Sequence, residues 1–267
     1  MDGTWNPQPR TPAGARACVV IPARIASTRL PRKLLLRDTG MSVLEHTYRA
    51  ACRAQRPEAV WIAAADDEIA REAQAIGACV QRTDPEAPSG TDRVAEVARD
   101  LEGVDIIVNV QADEPEIQPE QIDQVVELLE RDATASMSTL AVPIRSPERL
   151  RDPACVKVVF DRSGRAIYFS RAAIPYAREW DDRLLDHDPP TFWQHLGIYA
   201  YRREFLLELA KLPRSPLEAI ESLEQLRVLQ HGHAIQVGTT SHGLKGIDTL
   251  EDYRAFVARA GQMRRSA

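Results

Sequence analysis

Lysine is scarce in this chain: only 4 of the 34 basic residues are Lys, so a lysine inside a polar motif carries unusual weight. Cysteine is sparse as well. Cys18, Cys52, Cys79 and Cys155 are separated by 34, 27 and 76 positions. The lack of a Cys-x-x-Cys pair argues against a zinc ribbon or a dithiol redox site. Each cysteine lies in an apolar or helical stretch and reads as a small buried hydrophobe in a reducing compartment. No apolar run approaches the roughly 18 residues that a membrane span needs. Charge of one sign is also missing: 39 acidic against 34 basic residues give a net −5. That balance supplies no whole-chain reason to bind nucleic acid or an anionic membrane. The first 16 residues are rich in Pro, Gly and polar side chains and lack a hydrophobic centre. They read as a flexible leader rather than a secretory signal, and the protein is expected to be cytoplasmic.

What is present is ordinary globular composition: 267 residues, 44% apolar and 27% charged. Such a chain can bury a large core, and disorder, collagen and coiled coil are ruled out as its main character. Ala17-Cys-Val-Val-Ile-Pro22 is a short continuous apolar run, as in a buried parallel strand. Ser42 begins a helix, with Glu45 placed to close a capping box and Val43, Leu44, Thr47, Tyr48 and Ala51 at helical spacing. A strand at 59–65, a helix from Asp67 to Gly77, a strand at 78–81, a helix at 91–99 and a strand at 105–110 follow. Pro119 then stands in the first turn of another helix, where a missing N–H costs nothing. Alternation at this spacing predicts an α/β fold: a mostly parallel sheet flanked by helices on both faces.

From about Leu140 the rhythm changes. Segments 156–160 and 166–170 flank Asp161-Arg-Ser-Gly164 and read as a hairpin, and 172–190 is a long polar excursion. A strand at 195–201, helices at 204–211 and 216–230, a strand at 234–238 and a helix from Thr249 close the chain. The expected organisation is one domain, 17–262, with an inserted lobe at about 140–200.

In open parallel sheets ligands sit outside the carboxyl ends of the strands. The loop Pro22-Ala-Arg-Ile-Ala-Ser-Thr-Arg-Leu-Pro-Arg-Lys33 follows the first strand and carries Arg24, Arg29, Arg32, Lys33 and two hydroxyls. Those groups suit a polyphosphate. The loop has no glycine, so it is neither a Walker A loop nor a dinucleotide fingerprint. Asp113 follows the strongest strand and Asp248 follows a second short apolar stretch late in the chain. Two such acids, meeting at one sheet edge, match the way Mg²⁺ binds through one or two carboxylates plus phosphate oxygens. His231 and His233 flank Gly232 and read as an exposed turn rather than as metal ligands.

Val19-Val-Ile-Pro-Ala-Arg-Ile-Ala-Ser-Thr-Arg-Leu-Pro-Arg-Lys33 resembles the opening motif of the 3-deoxy-manno-octulosonate cytidylyltransferases, the CMP-Kdo synthetases. The similarity continues through Ser89-Gly-Thr-Asp-Arg93, Val108-Asn-Val-Gln-Ala-Asp-Glu-Pro115, Tyr168-Phe-Ser-Arg-Ala172, His195-Leu-Gly-Ile-Tyr199, Leu223-Glu-Gln-Leu-Arg227 and Gly246-Ile-Asp-Thr249. It is collinear from about residue 17 to 260. The resemblance implies a nucleotide-diphospho-sugar transferase fold with a dimerisation lobe. It implies Mg²⁺-dependent transfer of CMP from CTP to Kdo, for lipopolysaccharide synthesis, by a homodimer. By the same resemblance Arg24, Ser27, Arg29 and Lys33 are expected to bind CTP, and Asp113 and Asp248 to hold the metal, with Lys33 joining them in catalysis. Arg93, Gln111, Arg171, His195, Tyr199, Glu224 and Gln225 are expected to bind the sugar. A variant acid sugar, 8-amino-Kdo or a sialic acid, and a non-catalytic homologue are the alternatives. The chain departs from the family pattern at Ala112 and Arg32, where glycine is usual, and at Leu244-Lys-Gly246, where a Gly-Thr-Gly run is usual.

Overall fold

The computed structural model describes residues 15–266. All but the last two residues of the segment read as a leader, 1–16, lie outside the described residues. The chain divides into two compact units, one formed by residues up to Asp123 and from Leu244 onward, the other by Gln124–Gly243.

The first unit alternates strand and helix. It comprises β1 (Ala17–Ala23), α1 (Val43–Ala51), β2 (Pro57–Ala64), α2 (Asp67–Ala75), β3 (Cys79–Arg82), α3 (Gly90–Asp100) and β4 (Ile106–Asn109). The strands are ordered β3-β2-β1-β4 and every pairing is parallel. β1 pairs on both edges, Val20 lying opposite Trp61 on one side and Asn109 on the other. Cys18, Val19, Val20, Ile21, Ile62, Ile106, Ile107 and Val108 are all fully buried. That is why the strands read as unbroken apolar runs: helices cover both faces. Because all four strands run the same way, the loops after β1, β3 and β4 leave from one edge.

The helix starts are set by local chemistry. Ser42 Oγ accepts the Glu45 N–H at 3.0 Å, as expected for an N-cap. The capping box does not close. The Glu45 carboxylate goes to Arg49 one turn later, and the Ser42 hydroxyl donates to Glu72. α2 ends where Gly77 takes φ +76°, a left-handed C-cap that glycine adopts without cost.

The division between the units falls within α4 (Pro119–Arg131). The second unit continues with β5 (Ala135–Pro143), α5 (Pro147–Arg151), the hairpin β6 (Lys157–Phe160) and β7 (Ala166–Ser170), and β8 (Trp193–Arg202). It ends with α6 (Arg203–Leu209), α7 (Pro216–Glu221), α8 (Gln225–Gln230) and β9 (Ala234–Thr239). β5 is antiparallel to β8 and parallel to β9, and β6 also bonds to β8. α9 (Leu250–Ser266) belongs to the first unit. Parallel pairings predominate, so the sheet is mixed but mostly parallel and flanked by helices.

Several elements differ from the sequence reading. β5 has no separate forecast, because its apolar residues follow α4 with only a short turn between. The single helix expected at 216–230 is two, broken at Ser222, whose φ of +51° no helix accommodates. The polar excursion 172–190 contains a 3₁₀ turn, Asp182–Leu185, that buries Leu185 against Ile144, Leu150, Cys155 and Phe192. Cys52 and Cys79 are exposed, and only Cys18 and Cys155 are the buried hydrophobes expected of all four.

Candidate active site

A cleft of about 510 Å³ opens at the carboxyl edge of the first unit's sheet. Its walls include Arg24, Ser27, Arg29 and Lys33 from the loop after β1, Pro88 to Gly90 and Arg93 at the start of α3, Gln111 to Asp113 after β4, and Asp248. All four expected CTP ligands, both expected metal carboxylates and two expected sugar ligands therefore share one cavity. Arg32 is not among its walls; its guanidinium is turned to Glu68.

Lys33 organises the floor. Its Nζ donates to Asp113 Oδ2 at 2.5 Å, to Asp248 Oδ1 at 3.1 Å and to the Ile247 carbonyl at 2.7 Å. Burial works against the ammonium, but the two carboxylates outweigh it and the Lys33 pKa is raised. Asp248 reaches this point because the Ile247 N–H donates to the Asp113 carbonyl at 2.9 Å, stitching the 244–249 segment to the end of β4. Arg29 pairs with Asp248 from the solvent side at 2.9 Å. Beside Asp113, Glu114 is buried, and burial first, then the Asp113 charge, pushes its carboxyl up to about 8.

The departures from the family pattern have distinct structural consequences. Ala112 is buried, and its carbonyl accepts the Thr47 hydroxyl at 3.0 Å. It is not among the positive-φ residues, so its methyl needs no glycine backbone. Arg32 does occupy the left-handed region, at φ 58° and ψ 24°.

Arg93 is 3% exposed and is fixed by three carbonyls, those of Asp84, Pro85 and Ala87. Its place on α3 follows from Ser89, whose Oγ accepts the Asp92 N–H at 3.2 Å and caps the helix. The N-terminus of α3 faces the cleft at Ser89 and Gly90, an arrangement that favours anions.

The remaining expected sugar ligands lie in the second unit. Arg171 donates from Nε to the Glu221 carbonyl at 2.7 Å, and from its terminal nitrogens to Pro153 and Ser222 carbonyls at 3.0 and 3.4 Å. The left-handed Ser222 that breaks the helix thus turns two successive carbonyls onto Arg171. Behind it, the fully buried Lys157 donates to the carbonyls of Asp152, Cys155 and Arg171. His195 and Tyr199 sit on β8 where its register against β5 shifts between Thr139 and Leu140, and their ring centroids are 5.3 Å apart. A β-bulge of this kind re-aims side chains. The Thr139 hydroxyl donates to the Leu196 and Ile198 carbonyls, so its lone pair takes the His195 Nε2–H at 3.1 Å. Burial pushes the His195 pKa down to about 3, so the ring is neutral and, with its proton on Nε2, leaves Nδ1 bare. Glu224 is exposed at the start of α8. Gln225 is buried, and its Nε2 has no hydrogen-bond partner among the described residues.

Two supporting groups are absent from the sequence reading. Asp252 Oδ2 accepts the Thr249 N–H at 2.8 Å while Thr249 Oγ1 accepts the Asp252 N–H at 3.1 Å. This reciprocal cap starts α9 directly after Asp248, and the spacing Thr-x-x-Asp was the available signal. Lys157, by contrast, lies in a strand and carries no local signal of its role.

A cytidylyltransferase family model matches residues 18–235. The chain belongs to the cytidylyltransferase family. A 3-deoxy-manno-octulosonate cytidylyltransferase of Rhodopirellula baltica is 49% identical over 245 residues, covering 91% of this chain and 98% of that one. An 8-amino-3,8-dideoxy-manno-octulosonate cytidylyltransferase of Shewanella woodyi is 43% identical, over 90% of this chain and 97% of that one. A solved CMP:2-keto-3-deoxy-manno-octonic acid synthetase complexed with CTP superposes with a TM-score of 0.86 at 35% identity, covering 93% of this chain and all of that one. The cytidylyltransferase is thus similar over nearly its whole length to nucleotidyltransferases acting on eight-carbon acid sugars. Among its described residues no helix is long and apolar enough to cross a membrane.

Proposed function

We propose that this cytidylyltransferase transfers CMP from CTP to the anomeric hydroxyl of 3-deoxy-manno-octulosonate, releasing pyrophosphate, within lipopolysaccharide synthesis. The observation that carries the reading is Lys33, held between Asp113 and Asp248 on the floor of a cleft lined by Arg24, Ser27 and Arg29. The anomeric hydroxyl gives its proton to solvent, its oxygen forms the new bond to the α-phosphorus as the α–β bridging bond breaks, and pyrophosphate leaves with the electron pair. The nucleophile belongs to the substrate, so the protein's task is alignment and charge neutralisation. Ser27, Arg29 and Lys33 meet the phosphates, while Arg24 helps define the nucleotide pocket. Arg93 and Gln111 in the first unit, and Arg171, His195, Tyr199, Glu224 and Gln225 in the second, are assigned to the sugar. The intact Lys33, Asp113 and Asp248 argue against a non-catalytic homologue.

Asp113 and Asp248 fit Mg²⁺. Both are hard oxygen donors, both are partly exposed, and together they already hold one cation, the Lys33 ammonium. Two protein carboxylates, with the rest of the shell from phosphate and water, is the usual Mg²⁺ arrangement. When bound there, the ion would neutralise phosphate charge and lower the pKa of a coordinated hydroxyl.

A homodimer is part of the proposal. The second unit exposes Ile167, Tyr176 and Ile220 at 63%, 87% and 81%, a set of large apolar side chains suited to a second copy. Residues 17–262 are taken as the working domain, with the second unit's lobe at about 140–200 as its dimerisation part. A cytoplasmic location accords with four free thiols and a nucleoside triphosphate substrate. The test is pyrophosphate release from CTP and Mg²⁺ with Kdo, 8-amino-Kdo, a sialic acid and a neutral hexose phosphate as acceptors. Kdo is expected to lead; release with none of them would overturn the reading.

A further inference from the structure

The cation-bearing loop after β1 is fastened at both ends to the N-terminus of α2, through the N-cap residue Asp66 and through Glu68. At its start, Asp66 Oδ2 accepts the Ile25 N–H at 2.6 Å. At its end, Glu68 takes the Arg32 guanidinium with both oxygens, Nη1 to Oε1 at 3.1 Å and Nη2 to Oε2 at 2.5 Å. Arg32 is also the residue with left-handed backbone, φ 58°, immediately before Lys33. Its carbonyl accepts the Leu35 N–H at 2.9 Å, closing the 3₁₀ turn on which Lys33 rides. A residue with a Cβ resists this conformation, whereas glycine takes it freely. An exposed ion pair normally does little, but a bidentate fork fixes geometry as well as distance.

We propose that Glu68 is a positioning residue for the nucleotide loop: its fork with Arg32 holds the left-handed turn that keeps Lys33 between Asp113 and Asp248. Arg32 acts through its backbone, with its side chain tied outside the cleft. The proposal rests on the reading that this loop holds the phosphates of CTP.

The experiment is a double-mutant cycle of wild type, Glu68→Ala, Arg32→Gly and the double variant. Each protein is measured for KM of CTP, KM of the sugar, and amide exchange at Leu35 and Leu36, the two N–H groups that close the turn. Glu68→Ala is expected to raise KM for CTP about threefold to tenfold, leave the sugar KM within about twofold, and speed both exchanges. Arg32→Gly is expected to behave as wild type. In that background Glu68→Ala should change nothing, because glycine needs no external hold. An equal loss from Glu68→Ala in both backgrounds, or unchanged exchange at Leu35 and Leu36, would overturn the proposal. If the wild type does not use CTP, the functional reading falls, and the exchange cycle alone still decides whether Glu68 holds the turn.

Discussion

Lys33 and Asp113 lie 80 positions apart in sequence and 2.5 Å apart in space, and Asp248 shares the same ammonium at 3.1 Å. The ammonium holds together two acids that would otherwise repel at close range. Replacing Lys33 by Met should therefore do two separable things. Turnover should fall by about a hundredfold or more, the usual consequence of deleting a preorganised charge at a phosphoryl centre. The stabilisation conferred by MgCl₂ in a thermal melt should become larger than in wild type, because Asp113 loses its ammonium and Asp248 keeps only the exposed Arg29. Asp113→Asn and Asp248→Asn should retain the fold, nearly abolish turnover and shrink the Mg²⁺ shift. Wild-type-like activity in either Asn variant, or no Mg²⁺ shift in any protein, would remove the metal assignment.

His195 supplies a pH signature. Its folded pKa, near 3, lies below its ordinary value of 6.5, so between these pH values the unfolded chain binds the extra proton. The stability this gives is complete above about pH 6.5 and is lost as pH falls toward 3, with a slope of at most about 1.4 kcal/mol per pH unit. His195→Gln should flatten the stability curve over that window. Urea titrations at pH 4, 5, 6 and 7 measure the difference. Identical slopes in the two proteins would contradict a buried neutral ring.

Lys157 tests how Arg171 is held. Burial pushes its ammonium pKa down, and all three of its acceptors are uncharged carbonyls. Removing a buried cation from carbonyls left without donors typically costs a few kcal/mol. Lys157→Met is expected to lose about 2–4 kcal/mol of stability and, in the folded fraction at low temperature, to raise the sugar KM more than the CTP KM. Equal increases in both would reduce Lys157 to a general support of the fold.

The same cases show how far the sequence could be read. Buried parallel strands such as Cys18–Ile21 announce themselves, because covering both faces leaves only apolar residues. The acids were legible too, since Asp113 follows a strand whose end the fold exposes. The Lys33 bridge was not, because nothing local says that Ile247 will bond to Asp113 and bring Asp248 alongside. Neither was the break at Ser222: a polar helix pattern runs straight across it, and nothing local says that the turn will deliver the Glu221 and Ser222 carbonyls to Arg171. Arg32 reads as one more phosphate ligand, but its partner Glu68, 36 positions away, draws it out of the cleft.

Association should depend on the second unit's apolar surface. Light scattering is expected to give a dimer at micromolar concentration, and Ile167→Lys with Ile220→Lys to give a folded monomer. A wild-type monomer at that concentration would refute the homodimer.

The acceptor is the last point at issue. Arg93 and Arg171 each have five N–H groups, and each spends three hydrogen bonds on backbone carbonyls that carry no formal charge. Among the described residues neither guanidinium forms an ion pair, so each keeps two N–H groups for a ligand. A substrate carboxylate would take such N–H groups, and at the buried Arg93 a neutral sugar would leave the guanidinium desolvated and without a counter-charge. The difference is worth several kcal/mol in typical sites, enough for at least a hundredfold preference in kcat/KM. Kdo and a neutral hexose phosphate in direct competition measure it, and comparable turnover of the two would overturn the acid-sugar assignment. Arg171→Met should narrow the preference by raising the KM for the acid sugar while the KM for CTP stays put. If 8-amino-Kdo outcompetes Kdo, cytidylyl transfer to an acid sugar stands, and the place to seek the cause is Ala112, whose buried methyl lines the cleft between Gln111 and Asp113.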